Sequence, residues 1–333
     1  MSDKTAIITG ANSGLGLAVA KRLFEEAGHA YQLTDLRVCL ACRNLQKAKF
    51  AKQELHEIFG LDIQVDVLEL DVSRPASVKQ AVEEIKCRYK HIDWLYLNAG
   101  IMPVEGVNWS ELWPPYPSRI LQAFTDGGSL LKVVDSKTPE GLNSVFATNL
   151  FGHFLLVRWL EDFLCSQRCP AHIVWTSSST AMKSHFNIED VQDQEGIDPY
   201  GSSKFGMDLL SLALNNMLND KGIYSHTVSP GLVITNMTTN ILAKWLWYLM
   251  SPVVLLMRLI NGSWTWDAHH GAEAQIWLSK QDPAILDHTA KYYSCCSPFG
   301  KSYVKQSREK LDPELADQLY KKLLKLAQQF ETS

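Results

Sequence analysis

The chain has 333 residues, enough for one large α/β domain with insertions or for two smaller domains. Hydrophobic residues make up 46% and charged residues 20%, the balance of an ordinary globular protein. A net charge of −4 gives no reason to expect a nucleic-acid partner.

The N-terminus reads as lacking a cleavable signal, because Met1-Ser2-Asp3-Lys4 leads straight into apolar residues. Thr5-Ala6-Ile7-Ile8-Thr9 is a short apolar strand, followed directly by Gly10-Ala11-Asn12-Ser13-Gly14-Leu15-Gly16. Leu17 to Ala27 then repeats apolar residues at helical spacing and should stop at Gly28. A strand, a glycine-rich turn and a helix in that order fit a phosphate site, with backbone amides gathered at a helix N-terminus. A tight turn with no ligand is the plainer alternative.

Arg37 to Cys42 reads as the second strand. Its Cys39 and Cys42 form a CxxC, but residues three apart on a strand face opposite ways, so packing is the better reading. Seven cysteines without regular spacing suggest a reducing compartment. The strand ends on Arg43-Asn44, where a dinucleotide fold places an acid for a ribose hydroxyl or an Arg for a 2′-phosphate. Arg43 therefore favours NADP(H) over NAD(H).

A helix over Lys47–Phe59, a strand over Ile63–Leu70 closing with Asp71-Val72, a helix over Ala76–Tyr89 and a strand over Trp94–Leu97 follow. The last strand ends on Asn98-Ala99-Gly100. This alternation predicts an α/β fold: a single Rossmann-like, doubly wound parallel sheet with helices on both faces and a ligand at its carboxyl edge. From Ile101 to Thr138 the periodicity breaks, which predicts an irregular insertion bordering a substrate cleft or facing a partner.

Glu140 to Leu164 reads as one long helix containing Asn149, an amide that normally bonds locally or faces solvent. His153 and His172 read as structural. Ala171–Thr176 is a strand closing on Ser177-Ser178-Ser179, where a hydroxyl can donate to a substrate carbonyl. Pro199 then opens a helix that sets Tyr200 and Lys204 one turn apart on one face. A phenol titrates near 10, and an ammonium one turn away should pull it down into use as an acid/base. A strand over Ile223–Ser229 leads to Pro230-Gly231 and Thr235. The remaining elements are a helix over Ala268–Leu278, a strand over Lys291–Ser294 and an amphipathic helix over Leu311–Phe330.

The stretch 241–260 is strongly apolar, with an uncharged core from Trp245 to Met257. That core is shorter than the roughly 20 residues of a spanning helix. A lid over an apolar substrate, an interfacial anchor and a single span compete. A lid that also dips into a bilayer explains most of it, the aromatic cluster Trp245-Trp247-Tyr248 suiting a membrane interface.

Thr9-Gly10-x-x-x-Gly14-x-Gly16, Asn98-Ala99-Gly100, Asn149, Ser178, Tyr200, Lys204 and Pro230-Gly231 stand in one order and spacing. Together they resemble the short-chain dehydrogenase/reductases over roughly residues 3–295. Tyr96–Pro103, Asn149–Phe154 and Trp175–Ser178 look like the 3-keto-steroid reductase branch of that family. The resemblance implies catalytic roles for Ser178, Tyr200 and Lys204, with Ser177 the alternative to Ser178, and a water-holding role for Asn149. It implies cofactor contacts from Thr9, Gly10, Asn12, Ser13, Gly14, Leu15, Gly16, Arg43, Asp71, Val72, Asn98, Ala99, Gly100, Tyr200, Lys204, Pro230, Gly231 and Thr235, and no metal. It further implies NADPH-dependent reduction of a 3-keto sterol to the 3β-hydroxy sterol, and of estrone to estradiol. A retinoid or other apolar carbonyl is an alternative substrate, and an idle scaffold in a sterol-demethylation complex is an alternative role. Implied too are an endoplasmic reticulum membrane location with the domain facing the cytosol, and a homodimer through the helices of Asn149 and Tyr200. Residues 1–295 would form the reductase domain and 296–333 a helical extension.

Overall fold

In the computed structural model, which describes residues 4–30, 33–107, 131–195, 198–234, 262 and 265–331, strand β1 (Lys4–Thr9) runs into helix α1 (Gly14–Ala30). Next come β2 (Leu36–Cys42), α2 (Leu45–Phe59), β3 (Gln64–Glu69), α3 (Pro75–Arg88) and β4 (Trp94–Leu97). The ends of the insertion pair as a small antiparallel hairpin, β5 (Val104–Val107) with β6 (Leu131–Val133). Helix α4 (Gly152–Ser166), strand β7 (Ala171–Thr176), helix α5 (Pro199–Leu218) and strand β8 (Ile223–Ser229) follow. Helices α6 (Ala268–Gly271) and α7 (Glu273–Ser279), strands β9 (Ala290–Cys296) and β10 (Ser302–Arg308), and helix α8 (Pro313–Glu331) complete the described chain. Residues 108–130 of the insertion, Thr235 and the stretch 241–260 lie outside the described residues.

The main sheet has the order β10-β9-β8-β7-β4-β1-β2-β3. Strands β3 to β9 along that order are parallel, as expected, and β10 adds an antiparallel edge. The order reverses between β1 and β4, the switch point outside which doubly wound sheets bind ligands. One face carries α3, α4, α5 and α8 and the other α1, α2 and α7, each over its own apolar core. Cys39 belongs to one core and Cys42 to the other, with both thiols free, so the CxxC is packing. Burial pushes Cys39 up to about 12 and Cys42 up to about 11.

Two helices differ from the sequence expectation, the second of them in two ways. Helix α1 continues through Gly28, whose backbone is not left-handed and whose missing side chain faces only Leu33. The helix expected from Glu140 begins at Ser144, because Gly141 has φ +83° and closes a turn from Thr138. That helix is also interrupted: a turn, Ser144–Phe146, passes into a π segment, Ala147–Phe151, before α4. Single-turn π segments recur at functional sites, and this one contains Asn149. Gly152, just after it, lets the backbone pass Val72, since a Cβ there would fall 1.7 Å from the Val72 carbonyl oxygen.

Residues 296–333 supply a strand as well as a helix. Helix α8 buries Ala316, Leu319, Leu323 and Ala327 in the core beneath α4 and α5. Tyr320 meets Phe154 edge-on at 5.6 Å, and Phe330 lies 5.9 Å from Phe151. The helices implied for a homodimer are thus the ones α8 covers.

Candidate active site

Every described site residue sits at or just beyond the carboxyl end of a parallel strand or on a helix facing that edge. Thr9 closes β1, Arg43 follows β2, Asp71 follows β3, Asn98 follows β4, Ser178 follows β7 and Pro230 follows β8.

The glycine turn fits a dinucleotide phosphate. Gly10 and Gly14 have φ of +70° and +56°, conformations that L side chains rarely adopt. A Cβ on Gly16 would lie 2.6 Å from both the Gly10 carbonyl oxygen and Asn98 Nδ2. Asn12, Ser13, Gly14 and Leu15 keep some exposure at the N-terminus of α1, whose first turn has no acidic residue to repel an anion. Arg43 is exposed and, among the described residues, makes no ion pair. Asp71 accepts from the Ser73 backbone and hydroxyl at 3.1 and 2.7 Å, holding its own turn, and Val72 is buried beside it. Gly231 is also left-handed, at φ +75°.

Thr9 ties the turn to the next strand. Its hydroxyl oxygen accepts from the amides of Asn98 and Ala99, both at 2.9 Å, and Asn98 Nδ2 returns a bond to the Thr9 carbonyl at 3.0 Å. Gly100 is pressed from the far side, where a Cβ would stand 3.2 Å from Asn149 Oδ1 and 3.6 Å from Lys204 Nζ. Asn149 uses its amide on the chain leaving β4. Oδ1 accepts from Ile101 N at 2.8 Å, while Nδ2 donates to Ile101 O and Ser203 Oγ, both at 3.1 Å.

Tyr200 and Lys204 stand in the first turns of α5, which Asp198 caps by accepting from Gly201 N at 2.9 Å. Nζ of Lys204 lies 5.4 Å from the centre of the Tyr200 ring and donates to Thr176 O at 2.7 Å. Ser178 Oγ accepts from Thr180 N and Oγ1 at 3.2 and 2.9 Å, leaving its own O–H for Tyr200. Ser177 instead donates to the Lys204 carbonyl at 3.3 Å and is buried, so Ser178 is the serine facing the tyrosine.

The charges differ from the sequence expectation. Tyr200 keeps some exposed surface, but its phenol is enclosed, and burial pushes it up to about 12 against the Ser178 hydrogen bond. Lys204 does not pull it down. Burial lowers Lys204 itself to about 7, with the nearby Asp208 opposing that and Lys291 adding to it. A low local dielectric disfavours both ionised forms, and burial is the largest influence on each.

Three residues escaped the sequence reading as parts of this site. His153 lies between Thr9 and Asn149, with Nε2 2.9 Å from Thr9 Oγ1 and Nδ1 3.0 Å from the Asn149 carbonyl. Asp208 and Lys291 form an ion pair at 2.5 Å, each side chain only 2% exposed. An Asp one turn after Lys204, flanked by Phe205, Met207, Leu209 and Leu210, and a Lys inside a buried strand, were the available signals, since buried charges need partners.

A glycine turn at the switch point, with Ser, Tyr and Lys side chains beside it, is the arrangement that a nicotinamide-dependent carbonyl reductase requires. The short-chain dehydrogenase family model matches residues 4–114 and 127–245, and the chain belongs to that family. It is 42% identical to rat (Rattus norvegicus) 3-keto-steroid reductase/17-beta-hydroxysteroid dehydrogenase 7 over 98% of this chain and 96% of that one. The human (Homo sapiens) protein of the same name is 41% identical over 97% and 93%. The 3-keto-steroid reductase erg27 of Schizosaccharomyces pombe is 33% identical over 85% of each chain. Among solved structures, salutaridine reductase from Papaver somniferum superposes with a TM-score of 0.60 at 19% identity, covering 88% of this chain and 100% of that one. L-sorbose reductase from Gluconobacter frateurii, complexed with NADPH and L-sorbose, gives 0.57 at 19% identity over 86% and 93%. At that identity these two speak for the fold.

Proposed function

We propose that this chain reduces the 3-ketone of a sterol to the alcohol with NADPH, and reduces the 17-ketone of estrone as a second activity. The observation that carries this reading is near full-length identity of 42% to a relative named for both activities, in a chain whose Ser178, Tyr200 and Lys204 converge. Bound reduced nicotinamide supplies the hydride. The chain's own residues do the rest. Tyr200, protonated throughout the neutral range, is the acid that gives its proton to the ketone oxygen. Ser178 donates a hydrogen bond to that oxygen as charge develops on it. Lys204, 5.4 Å from the centre of the Tyr200 ring, would place a cation beside the nicotinamide ribose, and its charge is lost as pH rises through about 7. The turn Gly10–Gly16 would hold the pyrophosphate, and Arg43, free at the end of β2, a 2′-phosphate.

Among the described residues no helix is long and apolar enough to cross a membrane. The apolar stretch 241–260 supports an interfacial contact with the endoplasmic reticulum membrane, where a sterol would enter and members of a sterol-demethylation complex would lie.

The test is NADPH oxidation by the purified protein in detergent, with a 3-keto sterol and estrone offered separately. Tyr200→Phe should lose roughly 10²–10⁴ in kcat while still binding NADPH. NADPH binding without turnover of either ketone would remove the substrate assignment.

A further inference from the structure

The Asp208–Lys291 pair is unusual in its cost and in its place. Two charges, each 2% exposed, have been taken out of water, and a buried ion pair is seldom a net gain over apolar residues of similar size. The pair also touches both halves of the candidate site. Asp208 follows Lys204 by one turn on α5. Lys291, on β9, donates from Nζ to the backbone carbonyl of Ser178 at 3.1 Å. Ser177 bonds the Lys204 carbonyl at 3.3 Å, so the serine turn, the lysine helix and the ion pair form one hydrogen-bonded unit.

We propose that Asp208 and Lys291 are positioning residues for ketone reduction: Lys291 fixes the Ser178 turn through its bond to the Ser178 carbonyl, and Asp208, one turn from Lys204 on α5, balances the Lys291 cation beside that lysine. This rests on the reductase reading above. The charges facing this group are few and can be named. Tyr200 shares the helix with Lys204, and Asp198 caps that helix beside Tyr200. His153 approaches Lys204 from α4, where the Lys204 charge helps hold its imidazole neutral. Tyr293 on β9 and Glu309 just after β10 lie toward Asp208. Among the described residues, Asp208 and Lys291 act on Lys204 with opposite signs.

The two single variants should therefore move Lys204 in opposite directions. Asp208→Asn leaves the Lys291 cation facing Lys204, so Lys204 loses its proton earlier and the alkaline limb of kcat/KM moves to lower pH. Lys291→Met leaves the Asp208 anion, and the limb moves to higher pH. Each displacement should be about half a pH unit or more, and the double variant Asp208→Asn/Lys291→Met should return the limb to its wild-type position. The same order should appear in the pH dependence of NADPH affinity, read from the fluorescence of the bound dihydronicotinamide without any ketone. A limb that stays in place, or moves the same way in both single variants, would overturn the proposal. If the single variants do not fold, the double variant, which removes both charges of the pair, still decides: a loss of about tenfold in ketone kcat/KM with NADPH affinity kept supports it, and wild-type kcat/KM overturns it. Should wild-type protein bind NADPH and reduce no ketone, the substrate reading fails, while the affinity profiles still test the pair.

Discussion

Thr9 and His153 are 144 residues apart in the chain and 2.9 Å apart in the fold, and with the imidazole neutral the bond between them runs from the hydroxyl to the ring. The Asn149 carbonyl can only accept, so His153 Nδ1 holds the proton, and Nε2 of the neutral ring is then an acceptor for the Thr9 hydroxyl. One imidazole thus joins the strand that opens the cofactor turn to the π segment that holds Asn149. Burial lowers His153 to about 4, which keeps that tautomer neutral at working pH.

The bond sets an acid limit on stability. The folded-state value of His153 lies below its usual 6.5, so the unfolded chain binds the proton first as pH falls. Stability is full above pH 6.5 and is lost as pH falls toward 4, with about 2 kcal/mol gone by pH 5. His172 and His226 are lowered too and act in the same window, so the measurement is a difference between proteins. Urea unfolding at pH 7.5 and pH 5 should show His153→Gln losing less stability on acidification than wild type. Equal losses would mean that His153 is not held neutral by the fold.

Two glycines of the same protein should respond oppositely to a methyl group. Gly28→Ala places a Cβ no closer than 3.6 Å to Leu33 within α1, and should stabilise by roughly 0.5–1 kcal/mol. Gly152→Ala drives a Cβ into the Val72 carbonyl, and should destabilise by roughly 1–3 kcal/mol or more. Thermal melting of the two variants checks both signs.

How far the sequence could be read follows from what each signal encodes. The strands β4, β7 and β8 were legible to the residue because apolar runs bounded by turns specify buried parallel strands. Tyr200 and Lys204 were legible because helical spacing alone puts them together. The π segment was not, since the spacing of Ala147–Phe151 also fits an ordinary α-helix, and only the packing of Gly152 on Val72 distinguishes the two. Strand β10 was missed because its residues are mostly exposed and carry charges, which suits an antiparallel edge and hides it from an apolar pattern. The direction of the Tyr200 shift was missed for a different reason. Spacing shows that a cation is near, whereas the burial that outweighs it depends on the whole fold.

Arg43 gives the cofactor prediction its simplest form. It is exposed at the end of β2 and, among the described residues, pairs with no acid, so replacing it should leave stability unchanged. On the proposed role of Arg43, Arg43→Asp would remove the 2′-phosphate partner and offer a carboxylate to a ribose hydroxyl. Losing one charged hydrogen bond, worth roughly 1.5–3 kcal/mol, should cut the preference for NADPH over NADH about 10- to 100-fold. Steady-state kinetics with both cofactors measures it, and an unchanged ratio would move the phosphate site elsewhere.

Helix α8 leads to the last prediction. Leu319 and Leu323 are fully buried against the face of α4 and α5, Tyr320 meets Phe154 edge-on and Phe330 packs at a tilt on Phe151. A partner subunit cannot use that face while α8 occupies it, so light scattering on a size-exclusion column should find no dimer formed there. Removing residues 312–333 uncovers the same apolar face. Burying a Leu side chain contributes roughly 1.5–3 kcal/mol, so the truncated chain should melt earlier and self-associate through Phe151 and Phe154. Leu319→Asp/Leu323→Asp should reproduce the effect in the full-length chain by detaching α8 without shortening it. A full-length dimer that cross-links through cysteines placed on the outer face of α4 would show that α8 leaves this surface, and the packing described here would then be only one of its arrangements.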